Sequence, residues 1–88
     1  MVNGDAGASS NSAPHAQRAQ IEAEMQRLQQ DARACAEKIQ NFMLQEDPAQ
    51  GIFYAQEIHG LRQEKLRLEV EADLLQKRLN RMALEEAP

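Results

Sequence analysis

Two apolar seams with identical spacing restrict what this chain can fold into. In the first, Ile21, Met25, Leu28, Ala32, Cys35, Ile39 and Phe42 follow one another in alternating steps of four and three. In the second, Tyr54, Ile58, Leu61, Lys65, Leu68, Ala72, Leu75, Leu79 and Met82 do the same. A mean step of about 3.5 residues keeps one stripe of a helix facing a partner helix, which is the period of a coiled coil. Met25, Ala32 and Ile39 take the a positions of the first seam, and Ile58, Lys65, Ala72 and Leu79 those of the second; the others are at d. Helix formers (Ala, Gln, Glu, Leu, Arg) dominate from about residue 15 onward and β-branched residues are few. An all-α fold is predicted.

Between the seams lies Glu46-Asp47-Pro48-Ala49-Gln50-Gly51. Proline lacks the N–H that a helix interior needs and drives the preceding residue out of the α region. Asp47, Pro48 and Gln50 also have the spacing of an N-cap, a first helical residue and a capping-box partner, so a second helix is expected to begin between Pro48 and Phe53. The predicted organisation is a disordered Gly/Ser/Asn-rich tail over 1–13, helix 1 over 14–46, a Pro/Gly turn over 47–52 and helix 2 over 53–85. Ser12 and Pro14 supply a plausible start for helix 1. Each helix is about 33 residues, or roughly 50 Å at the α-helical rise.

Two helices of matched length joined by a short turn predict an antiparallel coiled-coil hairpin. If the turn centres near residue 50, facing residue numbers add to about 100. Phe42 then meets Ile58, Ile39 meets Leu61, Cys35 meets Lys65 and Ala32 meets Leu68. Leu28 with Ala72, Met25 with Leu75, Ile21 with Leu79 and Arg18 with Met82 continue the series. These are a-to-d layers, and two of them set a small side chain against a large one, as close packing requires. The same register brings Lys38 near Glu64 and Glu24 near Arg78, and sets Asp31 unfavourably near Glu71. The rival arrangement is two helices meeting at a Pro kink, each pairing with a different chain.

The second helix carries further aliphatics at Leu66, Val70 and Leu74, with Leu84 beyond them. At about 100° per residue they face away from the Leu61/Leu68/Leu75 seam. Helix 1 shows no such stripe, its outer positions being mostly Gln, Arg, Asn and Glu. A helix apolar on two faces is expected to be covered on both, so these residues are predicted to bind a partner; scattered exposed aliphatics are the plainer alternative. Small domains also bury too little surface to be robust alone. Completion of the hairpin by homo- or hetero-oligomerisation is therefore expected.

Other residues are read more plainly. Lys65 at an a position can pack its stem and extend its ammonium to water, restricting register at some cost in stability. Cys35, the only cysteine, reads as a small buried residue. The Ile52-Phe53-Tyr54 cluster is expected to close the hairpin end over Phe42 and Met43, while an exposed Phe53 would offer an anchor for a partner. His15 and His59 lack further ligands at metal spacing.

The composition narrows the function classes. A formal charge of −4 and a sequence without a basic run disfavour nucleic acid. The sequence contains no apolar run long enough to span a membrane. Met1-Val2-Asn3-Gly4-Asp5 has neither the basic nor the apolar region of a signal peptide, and one cysteine cannot form an internal disulfide. An intracellular setting, cytoplasmic or nuclear, is expected. The sequence offers no phosphate loop and no nucleophile–base pair, so neither catalysis nor a metal, cofactor or small-molecule substrate is expected. The expected role is a structural subunit of a cytoskeletal, trafficking, tethering or scaffold assembly. The alternative is a small hairpin chaperone or regulator that binds its client reversibly.

Overall fold

The computed structural model describes residues 13–86. They form an all-α antiparallel hairpin of α1 (Ala13–Gln45) and α2 (Ala55–Glu86), joined by a short 3₁₀ turn at Pro48–Gln50. Ala13 belongs to α1 rather than to a tail, and α2 begins two residues later than position 53. Ser12 and the tail before it lie outside the described residues.

α1 ends because Pro48 forces a change of backbone path. The Glu46 N–H is shared between the carbonyls of Phe42 (3.1 Å) and Met43 (3.4 Å), and Asp47 then leaves the helical region at φ −135°, ψ 88°. Asp47 and Ile52 exchange both backbone hydrogen bonds at 2.9 Å, closing a tight loop of Pro48, Ala49, Gln50 and Gly51. Inside it the Gln50 N–H donates to the Asp47 carbonyl (3.0 Å) and the Gly51 N–H to that of Pro48 (3.1 Å). Gly51 sits at φ 73°, the left-handed conformation glycine adopts without a Cβ penalty.

The capping box expected at Asp47 and Gln50 is not formed. The Asp47 side chain makes no cap bond, and its carbonyl does the work by accepting from Gln50 and Ile52. The cap of α2 is assembled further on. The Tyr54 carbonyl accepts the Ile58 N–H at 2.9 Å, and the Tyr54 N–H donates to Glu46 Oε2 at 3.0 Å. A carboxylate from the residue just after α1 thus occupies the place that a capping-box Glu would take from within α2.

The core lies along the two seams. Leu28, Ala32 and Cys35 of α1 and Leu68 and Ala72 of α2 are buried in one cluster, with Met25, Leu61 and Leu75 packed against it. Ile21, Ile39 and Ile58 are buried beyond its ends. Phe42, Tyr54, Lys65, Leu79 and Met82 are half-buried. At the turn the rings of Phe42 and Tyr54 lie 5.0 Å apart at 44°, a tilted aromatic contact. At the open end Arg18 bonds to Glu86 across the two helices.

The interhelical charge pairs expected from the register do not form. Glu24 bonds to Arg27 on its own helix, and Arg67 takes both Glu64 (2.6 Å) and Glu71 (2.7 Å). Partners three and four residues apart on one helix are nearer than residues across the seam. Arg67 therefore also offsets the acidic crowding expected between Asp31 and Glu71.

Candidate interaction surface

The seam uses only one side of α2. Leu68 and Ala72 are 5% and 6% exposed, whereas Leu66, Val70 and Leu74 are 61%, 50% and 59% exposed. Steps of four place these three residues on a single ridge, the kind of ridge that helices in globular proteins most often interdigitate. Leu84, toward the open end, is 77% exposed. The sequence-predicted stripe is thus a continuous aliphatic ridge on the back of α2.

The turn end carries a second apolar surface. Its three-residue cluster is divided: Tyr54 packs on Phe42, while Ile52 and Phe53 face solvent. Met43 and Leu44, in the last turn of α1, are exposed as well. The expectation that the cluster covers Met43 is therefore corrected. Because Leu44 follows two residues after the last seam position, its neighbourhood lacks the periodicity that revealed the α2 ridge.

Between the helices an open groove is floored by Ala32 and Ala72 and bordered by Gln29, Arg33, Glu69, Asp73 and Gln76. Small residues at these a positions leave the space open. The Lys65 stem borders the groove and its ammonium bonds to Glu69 at 2.8 Å, so the polar end lies outside the seam. Cys35 is buried and unbonded. The described residues contain no group of three His, Cys, Asp or Glu placed to hold a metal ion.

One carboxyl is perturbed by its partner. The Arg18 guanidinium, chiefly through its hydrogen bond, holds Glu86 below the ordinary carboxylate range. Among the described residues no helix is long and apolar enough to cross a membrane. Comparison with family models, curated proteins and solved structures gives no match.

Proposed function

We propose that this chain is a non-enzymatic interaction subunit that binds a partner helix along the back of α2 within a larger protein assembly. The contrast in exposure between Leu68 and Leu66, two residues apart on one helix, carries this reading. The hairpin satisfies one apolar face of α2 and leaves the other bare, and a helix with two apolar faces gains by covering both. Scaffold, trafficking and cytoskeletal assemblies are the settings in which such a subunit fits.

A second reading is supported by the turn end. Exposed Phe53 and Met43 supply an aromatic anchor and an adaptable side chain, a combination suited to reversible client binding.

The test is affinity purification from cell extract with the intact chain and with Leu66→Glu/Leu74→Glu. Loss of associated proteins in the double variant, with helicity by circular dichroism retained, is expected. An unchanged set of associated proteins would refute the α2 reading, and loss only with Phe53→Ser would support the turn-end reading.

A further inference from the structure

The charges around the ridge specify its partner further. Within roughly 100° of Val70 on the helical wheel lie Arg62, Arg67, Lys77, Arg78 and Arg81, together with Glu69, Glu71, Asp73 and Glu85. Glu69 is held by Lys65, Glu71 by Arg67 and Asp73 by Lys77, so the charges left unpaired along the rim of the ridge are mainly basic on a chain whose formal charge is −4. Part of the rim is already neutralised: Arg67 by Glu64 and Glu71, and Lys77 by Asp73 at 3.1 Å. Arg62, Arg78 and Arg81 are exposed and make no ion pair among the described residues.

We propose that the back of α2 binds an acidic amphipathic helix of another protein, with aliphatics in steps of four seated against Leu66, Val70 and Leu74 and carboxylates facing Arg62, Arg78 and Arg81. This rests on the reading that the ridge binds a helix and adds the partner's chemistry. Charge at the rim of an interface steers encounter and excludes wrong partners more than it adds affinity. A second copy fits poorly. In a two-fold pairing through Val70, Arg62 falls opposite Arg78 of the other copy and Arg81 opposite His59. The residues that would complement each other, Arg67 and Asp73, are already paired within their own helix. An anionic lipid surface fits less well, because the ridge is narrow and free of aromatic residues.

The experiment titrates the full chain with two synthetic helical peptides that share Leu at steps of four. One is flanked by Glu and the other by Lys. Stronger binding of the Glu peptide, by about tenfold or more at low salt, is expected, with the difference shrinking as salt screens the charges. Arg62→Glu/Arg78→Glu/Arg81→Glu reverses the preference without lowering helicity. Equal or tighter binding of the Lys peptide, still lost with Leu66→Glu/Leu74→Glu, overturns the acidic partner but leaves the helix-binding reading intact. Binding of neither peptide, or binding unaffected by the Leu66/Leu74 changes, overturns both. Self-association through the ridge by analytical ultracentrifugation, or tighter binding to vesicles of phosphatidylserine and phosphatidylcholine than to the Glu peptide, also overturns the proposal.

Discussion

Glu46 Oε2 accepts the backbone N–H of Tyr54 at 3.0 Å, tying the residue that follows α1 to the residue that caps α2. The bond spans the turn and satisfies a donor at a helix start, where the positive end of the helix dipole also favours a carboxylate. Glu46→Ala is predicted to destabilise the hairpin by about 1 kcal/mol, in the range typical of lost caps. Glu46→Gln, which keeps an acceptor oxygen, is predicted to lose less. Urea denaturation followed by circular dichroism, with amide exchange at Tyr54, measures both.

Gly51 is the one residue of the turn with positive φ, and a Cβ added there meets nothing within 4 Å. The cost of Gly51→Ala is therefore conformational rather than steric, about 1–2 kcal/mol for an L-residue in the left-handed region. Gly51→Asn is predicted to cost less, because asparagine tolerates that region better. Thermal melts of the two variants check the order.

Leu66 and Leu68 separate the two faces of α2. Leu68→Ala removes a buried side chain of the central cluster and is predicted to cost about 2–5 kcal/mol, enough to broaden or abolish cooperative unfolding in a small hairpin. Leu66→Ala is predicted to stay within about 0.5 kcal/mol in the free chain, as surface changes usually do. Paired urea titrations decide this.

Most of the packing was legible because a coiled-coil seam writes its geometry into spacing. The buried cluster of Leu28, Ala32, Cys35, Leu68 and Ala72, with Met25, Leu61 and Leu75 against it, follows from the four-three steps and the turn's position alone. The turn's conformation was not legible in the same way. Asp47-Pro48-Ala49-Gln50 suits both a capped helix start and a reverse turn, and the choice depends on the Asp47–Ile52 backbone pairing that follows Gly51. The ion pairs escaped for a different reason. Arg67 lies outside the seam, yet it reaches Glu64 and Glu71 on its own helix more readily than either reaches across to α1. Exposed Met43 and Leu44 belong to no repeat, so periodicity gave no signal for them.

Arg18 and Glu86 join the open ends of the helices. Because Arg18 lowers the pKa of Glu86 in the folded chain, the pair's contribution is present above the unfolded carboxylate value of about 4.3. It is lost as pH falls through the lower folded value. Carboxyl chemical shifts are predicted to show Glu86 titrating below the ordinary carboxylate range, and Arg18→Ala to return it there. Fraying near residues 18 and 86 at low pH, read by amide exchange, should precede loss of the central layers.

The account rests on α2 having one face buried by α1 and another left free. Methyl relaxation of the free chain in the presence of a soluble gadolinium chelate tests this directly. Strong relaxation is predicted at Leu66, Val70, Leu74 and Leu84, with protection at Leu28, Ile39, Ile58 and Leu68. Protection of Leu66, Val70 and Leu74 equal to that of Leu68, or strong relaxation at Leu28 and Leu68, would contradict it.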